Sequence, residues 1–583
     1  MTLFHSKAPS LLAPPDDMTV PQFILDNKAR HPTRPTRSQE TPCLIDEETG
    51  KPLYMDEMCS RTEAFARALH ATWGVGSDDV VALYAPNHID YPVSIWAIHR
   101  LGAIVAMTSP ALTTEELVYQ LQIAKPSLII AHVENLKTAL EAATSIGLPS
   151  SRVIVFDAHK TADKLPCKSV DEVIEHGRSS PAYPEVRLRP GEAKRKVAVL
   201  CFSSGTTGKP KAVAVSHYNL ICNVLQTATF NRLNEDYCPP EEMRWHPGDK
   251  AIAVLPFYHI YGLTANLHFC IYAAMTVVVV QKFVHENLLK SIERYRINHL
   301  FLVPPQVVLF CKHPSTRKYD LSSIRFCMVA AAPLTAELTT QMLELLPNIH
   351  LGQGYGLTET CAAVSMFPPG KRVGTPGSAG QLVSGTVAKV VKSDGSLAGV
   401  GERGELHVQG GQIALGYYGN EAATRESFTS DGWFRTGDEV MFHENGDLFI
   451  TDRIKELIKV KGDQVAPAEL EGHLLGHPHV ADAGVVGIPD DFSGEVPLAF
   501  VVLRPDLAAA ARTDQRVAAD MRSSIFKASL LPNHVSDAKS KHKWLTGGII
   551  FIEAIPKNAS GKILRRLLRE RAKTLKAPIS ARL

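Results

Sequence analysis

No stretch of this chain stays apolar for the roughly 18 residues or more that suggest a membrane-spanning helix. The longest runs, such as residues 269–280, stop well short. Paired cysteine motifs are also missing. The 10 cysteines are scattered, with no C-x-x-C and no zinc-like Cys/His spacing, which argues for a reducing compartment and against a structural metal. Cys201, Cys222, Cys270, Cys327 and Cys361 sit among apolar or small residues, where packing is their expected role. Charge of one sign is not in excess either. Lys+Arg 62 against Asp+Glu 60 leaves a formal net charge of +2, so the overall balance calls for neither nucleic acid nor an anionic membrane surface. The beginning, MTLFHSKAPSLLAPPDD, has prolines and aspartates where a secretory signal needs a sustained apolar core, and none is expected.

What is present is a soluble, globular composition, 45% hydrophobic and 21% charged. At 583 residues the chain exceeds what one hydrophobic core supports, so two or more domains are expected. Residues 1 to 40 or so are rich in proline and polar side chains and read as an irregular surface arm. Helical periodicity at 54–71, 90–101 and 113–123 alternates with apolar strands at 79–84, 103–107 and 127–131. Further strands follow at 153–156, 197–202, 251–255, 276–280, 300–303 and 326–330. Strands alternating with helices predict an α/β fold with parallel sheets covered on both faces. After about residue 370, short strands at 388–391, 404–409, 440–443 and 448–451 joined by turns predict a β-rich meander or barrel. From Glu456 the pattern returns to mixed α/β. It has a helix at 467–475, strands at 481–488 and 498–503, and a basic helix at 564–575. The boundary is placed at Arg453 to Lys455. It separates a large domain, 1–452, from a small one, 456–583. Two segments, 233–247 and 506–544, read as elaborated loops with no evident catalytic role.

The strongest local signal follows the strand at 197–202. It is Ser203, Ser204, Gly205, Thr206, Thr207, Gly208, Lys209, then Pro210 and Lys211. Glycines let the backbone approach an anion, the hydroxyls donate hydrogen bonds or face a metal, and the lysines offset negative charge. The stretch is read as a polyphosphate cradle. It is not a P-loop, because only two residues separate Gly205 from Gly208 and Pro210 follows the lysine.

Three further constellations carry chemistry. In Gly352-Gln353-Gly354-Tyr355-Gly356-Leu357-Thr358-Glu359 the third glycine falls one place too early for a dinucleotide fingerprint. Tyr355 between glycines offers a ring on which a purine could stack, and Glu359 a hard carboxylate for Mg²⁺; a tight turn with a packed tyrosine is the plainer alternative. Asp438, closing Thr436-Gly437-Asp438, and Arg453 fifteen residues on could hold ribose hydroxyls or a phosphate, or simply pair on the surface. Lys562 sits on the glycine turn of Pro556-Lys557-Asn558-Ala559-Ser560-Gly561-Lys562 before a helix.

In this order and spacing the motifs resemble the adenylate-forming superfamily of acyl-CoA synthetases, luciferases and peptide-synthetase adenylation domains. The likeness runs from about Asp79 to Lys562. Leu255-Pro256-Phe257-Tyr258-His259-Ile260-Tyr261-Gly262, the QGYGLTET stretch and GKILRR look most like 4-coumarate–CoA ligases and their fungal relatives. The resemblance implies a ligase using ATP, Mg²⁺ and coenzyme A. A carboxylic acid would be adenylated, a mobile C-terminal domain would rotate, and the CoA thiol would displace AMP. It assigns the β- and γ-phosphates to residues 203–211, the metal to Thr206 and Glu359, a side of the nucleotide to Gln353 and Gly354, adenine to Tyr355, the α-phosphate to Thr358, and the ribose to Asp438 and Arg453. Lys562 would bridge the acid and the α-phosphate. Lys455 would be the hinge, and Lys459, Lys461 and Gly462 would face CoA. His259, Tyr261, Ala330, Ala331, Ala362 and Ala363 would line the acyl pocket, His259 where acyl and thiol paths meet.

Two departures bear on the substrate. Val329-Ala330-Ala331-Ala332-Pro333 stands where the family often carries a glycine-containing turn, and Thr360-Cys361-Ala362-Ala363 replaces the Ala-Gly-Pro-Val common in coumarate ligases. An aryl or arylalkanoic acid is expected, with a medium-chain or branched fatty acid, transfer to a carrier protein, and an inactive acyl- or nucleotide-binding scaffold as alternatives. A monomer or homodimer is expected. Ala581-Arg582-Leu583 matches the chemical pattern of a peroxisomal address, with the cytoplasm as the alternative location.

Overall fold

The computed structural model describes residues 2–26, 31–161, 165–203, 210–460, 463–490, 492–504, 507–508, 515–530, 544–557 and 561–575. Ser204 to Lys209, Lys461, Gly462 and the terminal Ala581-Arg582-Leu583 lie outside the described residues.

The apolar strands read from the sequence form the centres of two large sheets. Val80–Tyr84, Ile104–Thr108 and Leu128–His132 are buried at every position, as strands covered on both faces must be. They pair in parallel with one another, and Leu128–His132 continues into Val153–Phe156. Ile104–Thr108 pairs in parallel with Val197–Ser203, which an antiparallel partner, Lys211–Ser216, flanks in turn. The second sheet runs His350–Leu357, Phe326–Val329, His299–Leu302, Lys250–Ala253, Thr276–Val279, with Leu44–Asp46 beyond. One apolar core joins the two sheets. Val81, Leu83 and Val105 of the first and Ala253, Phe301 and Met328 of the second meet through Tyr91–Arg100 and His217–Phe230. Tyr91–Arg100 is buried along its whole length, which explains why it carries no polar face.

The β-rich part is a five-stranded antiparallel sheet containing Val387–Val391, Gly404–Gln409, Phe434–Phe442 and Leu448–Arg453. Its third strand begins at Phe434, earlier than the expected 440, because a bulge lets it pass through Gly437 at φ +72°. The N-terminal segment is not a surface arm. Phe4–His5 extends this sheet through Phe4↔Ala388, and the helix Val20–Ile24 is wholly buried.

A smaller sheet follows, built on the long antiparallel pair Val480–Asp490 and Gly494–Leu503. The helices Pro467–Gly476 and Arg565–Leu575 pack on the first of these strands. The fold is mixed α/β with a large N-terminal and a small C-terminal domain. Among the described residues, no helix is long and apolar enough to cross a membrane, and the 506–544 segment contains the helix Gln515–Leu530.

Candidate active site

The carboxyl ends of the second sheet open into a cavity of about 440 Å³, where parallel α/β sheets usually present their sites. Both domains wall it. Lys562 and Lys557 come from the small domain. The large domain contributes Arg453, Thr358, Glu359, Gly354, Tyr355 and Ser203, together with His259, Tyr261, Ala330, Ala331, Ala362 and Ala363. Residues far apart in sequence therefore meet, and all six expected acyl-pocket residues line the same cavity.

Only the ends of the cradle stretch are among the described residues. Ser203 and Lys211 are register partners on antiparallel strands, and Ser203 and Pro210 line the cavity. The Lys211 ammonium lies 4.7 Å above the Tyr417 ring, and the Tyr417 hydroxyl donates to Glu359 Oε1 at 3.0 Å. That contact orients a buried carboxylate on the cavity wall.

The QGYGLTET stretch is a strand, His350–Leu357, where sequence alone allowed a tight turn. Its glycines are needed for closeness. A Cβ on Gly356 would lie 1.4 Å from the Ala362 carbonyl oxygen, and one on Gly352 would enter the Phe367 ring. Opposite, Cys361 and Ala362 take positive φ, +51° and +93°. Such backbone costs about 1–3 kcal/mol per residue and is held only by its surroundings. Here Thr360 Oγ1 receives the Leu357 N–H at 2.9 Å and fixes the turn.

Tyr355 lines the cavity. It is half-buried, and its hydroxyl donates to Asp438 Oδ2 at 2.5 Å. Asp438 and Arg453 are register partners across Phe434–Phe442 and Leu448–Arg453, with Arg453 Nε 3.4 Å from Asp438 Oδ1. Asp438 is only 3% exposed and stands behind the wall, with Arg453 in front. Burial raises its pKa, opposed by Arg453 and the Tyr355 hydroxyl. Gln353 also lies behind the wall, where its Oε1 accepts the Leu334 N–H at 2.7 Å and supports the alanine turn.

Lys562 follows Gly561, whose φ is +80°, and precedes the helix Arg565–Leu575. Burial, with Arg453 nearby, pulls its ammonium down to about 8 from the ordinary 10.5, against the pull of Glu456 and Asp438. His259 accepts the Tyr261 N–H at Nδ1, 3.3 Å away, which leaves the proton on Nε2. Burial pushes it down to about 4, so it is a neutral imidazole near pH 7. Lys455 lies in an exposed turn with its Nζ 3.8 Å from Glu426. Lys459 is exposed on Ile458–Val460, and neither lysine is on the cavity wall.

Sequence reasoning passed over the apolar end. Trp245, Phe269, Phe301 and Met328 line it. Trp245 comes from the 233–247 segment that carried no catalytic signal; a lone tryptophan among prolines and acids was the available hint.

This architecture and site define an adenylating enzyme. The chain matches the family model described as "AMP-binding enzyme" over residues 32–418 and that of the "AMP-binding enzyme C-terminal domain" over 469–562; it belongs to this adenylate-forming family, among the acid–thiol ligases close to 4-coumarate–CoA ligases. A probable 4-coumarate–CoA ligase 1 of Dictyostelium discoideum is 35% identical, the match covering 98% of each chain. The acyl-CoA ligase easD of Emericella nidulans is 32% identical over 95% of this chain and 97% of its own. Among solved structures, an anthranilate CoA ligase in complex with anthranoyl-AMP superposes with a TM-score of 0.80, covering 97% of this chain and 99% of its own at 24% identity.

Proposed function

We propose that this enzyme adenylates an aryl or arylalkanoic acid with Mg-ATP and transfers the acyl group to coenzyme A. The observation that carries this reading is the polarity of one cavity. Cations and hydroxyls (Lys562, Arg453, Thr358) stand at the end shared by the two domains, and aromatic side chains (Trp245, Phe269, Phe301) form the other. An acid whose carboxylate meets the cations must place its apolar body among the rings.

In the first half-reaction a carboxylate oxygen bonds to the α-phosphorus, the bond to the bridging oxygen breaks, and pyrophosphate leaves. Lys562 would pair with both the acid and the α-phosphate oxygens as negative charge gathers, and Thr358 would donate to the α-phosphate. Such stabilisation by placed charges is the main protein contribution to phosphoryl chemistry. The loop 203–211 would grip the β- and γ-phosphates, and Arg453, backed by Asp438, the ribose. Tyr355 would flank the adenine with its ring while its hydroxyl holds Asp438. Glu359, already oriented by Tyr417, offers the hard oxygen that Mg²⁺ prefers; with Thr206 it would hold the ion, which shields the phosphates' charge.

In the second half-reaction the thiol sulfur bonds to the acyl carbon, the bond to the AMP oxygen breaks, and the thiol proton passes to solvent. The small domain would turn about residues 453–455, with Lys455 as hinge, withdrawing Lys562 and bringing Lys459, Lys461 and Gly462 to the thiol path. Neutral His259 would line the junction of the acyl and thiol routes.

A panel of aromatic, arylalkanoic and aliphatic acids tests this. Acid-dependent pyrophosphate release without CoA, and thioester formation with it, are expected. Adenylate without any thioester would point to another acceptor. No release with any acid would leave an acyl- or nucleotide-binding scaffold.

A further inference from the structure

The depth of the cavity has a separate origin from its chemistry. Residues 231–249 connect the helix His217–Phe230 to the strand Lys250–Ala253, and the segment is pinned on both sides of Trp245. On one side Arg244 is fully buried. Its guanidinium donates to the carbonyls of Phe367 at 3.0 Å, Pro368 at 2.5 Å and Lys371 at 2.6 Å, and lies 3.9 Å over the Phe367 ring. On the other side Asp249 Oδ2 accepts the His246 N–H at 2.9 Å and receives His299 Nε2 at 2.8 Å, while Arg325 pairs with its second oxygen. Between these anchors Trp245 is 8% exposed. It stacks 4.6 Å from His299 and sits 4.7 Å from Phe326, with Phe269 meeting it edge-on at 5.0 Å.

Strand direction turns these contacts into a depth. His299 and Phe326 begin their parallel strands. At the opposite ends, Ala330 and Ala331 line the cavity, and Gly561 packs against Val303, a Cβ there meeting Val303 Cγ2 at 3.2 Å. From the turn carrying Lys562 to the plane of Trp245 is four residues of strand, about 13 Å. Two polar groups along the way are already used. Asn223 donates to Ala363 O and Gln226 and accepts from Ala363 N, and the Ser365 hydroxyl donates to Ala379 O. The deep wall is mainly apolar, with the Thr264 hydroxyl and the Trp245 indole nitrogen as buried polar atoms that have no hydrogen-bond partner among the described residues.

We propose that Trp245, clamped by Arg244 and Asp249, is the floor of the acyl cavity and sets the length of acid the enzyme accepts. This rests on the acyl-CoA ligase reading above. Acids whose apolar part ends at the indole fit; longer ones meet an aromatic plane that cannot yield, because the Arg244 and Asp249 anchors hold its backbone.

The test compares wild type with W245A, W245L and W245F on two series, phenylalkanoic acids and straight-chain acids of rising length, measuring pyrophosphate release and CoA thioester. Removing the indole is expected to raise kcat/KM for acids beyond the wild-type limit by roughly tenfold or more, a size typical of pocket discrimination per methylene or two. The gain should fall in the KM for the acid while the KM for ATP stays within about twofold, as for a group that binds only the acyl body. W245L should give an intermediate limit and W245F the smallest change. If W245A does not fold, W245L decides. An unchanged length profile in a folded W245A or W245L overturns the proposal. If wild type activates no acid in either series, the ligase reading fails instead.

Discussion

Arg565 donates to Glu456, 109 residues earlier, at 2.5 Å, and to Glu471 at 2.7 Å. All three side chains are largely buried. The guanidinium joins the first residue after the Arg453–Lys455 turn to the helix that follows Lys562, so the small domain's first and last elements are fastened together. Burial works against the Arg565 charge, but Glu471 and Glu456 outweigh it and raise its pKa.

Breaking that fastening leaves two buried carboxylates facing each other. Replacing Arg565 with Met is expected to destabilise the small domain by about 3 kcal/mol, the usual cost of orphaning a buried ion pair. The double variant with Glu471→Leu should recover part of it. Denaturant unfolding monitored separately for the two domains measures this, and equal stability of single and double variants would contradict it.

The lowered pKa of Lys562 predicts the alkaline limb of the first half-reaction. Only the ammonium can pair with the acid and phosphate oxygens. With a folded-state value of about 8, the charged fraction is nearly full at pH 6.5–7 and is lost as pH rises through about 8. An ordinary lysine would hold its charge to about 10. Because kcat/KM reports the free enzyme, pyrophosphate release should fall tenfold per pH unit above about 8. Lys562→Ala should abolish this step while leaving ATP binding and thioester formation from added acyl-adenylate largely intact.

Removing the Tyr355 hydroxyl tests the support of the ribose side. Tyr355→Phe takes away the donor at 2.5 Å from Asp438 and leaves a buried carboxylate facing the Arg453 and Lys562 charges without that hydrogen bond. A hydrogen bond to a charged group is worth about 1.5–3 kcal/mol, so kcat/KM for ATP is expected to fall by about tenfold or more. A change seen equally for the acid with ATP saturating would assign Tyr355 to a different step.

Gly356→Ala should fail for steric reasons alone. The new methyl would overlap the Ala362 carbonyl oxygen at 1.4 Å, and that backbone is already at φ +93°. Adenylation and thermal stability should both drop, whereas Gly370→Ala, which meets nothing within 4 Å, should leave the melting temperature within about a degree or two of wild type.

Much of the site was legible because its parts are local. A strand followed by hydroxyls, glycines and lysines suggests an anion loop before any fold is known, whereas Lys562 on its glycine turn reads alone as a solvated lysine and is singled out only by the resemblance. The polar partners of Tyr355 and Asp438 were not legible, because the bulge that turns Asp438 toward Tyr355 depends on how Gly404–Gln409 and Phe434–Phe442 pair. Trp245 was passed over for a related reason: its segment has no periodicity, and its role comes wholly from the residues it packs against.

The sequence by itself determined the alternation of strands and helices, the division into a large and a small domain, and the motifs that carry the family resemblance. These rest on hydrophobic period and on residue types within short windows. Only the tertiary structure decided that Arg453 stands before Asp438, that the N-terminal segment joins a sheet and the core, and that Trp245 of the 233–247 segment lines the cavity. Each of those facts is a contact between distant segments, fixed by packing in a shared core rather than by any local preference.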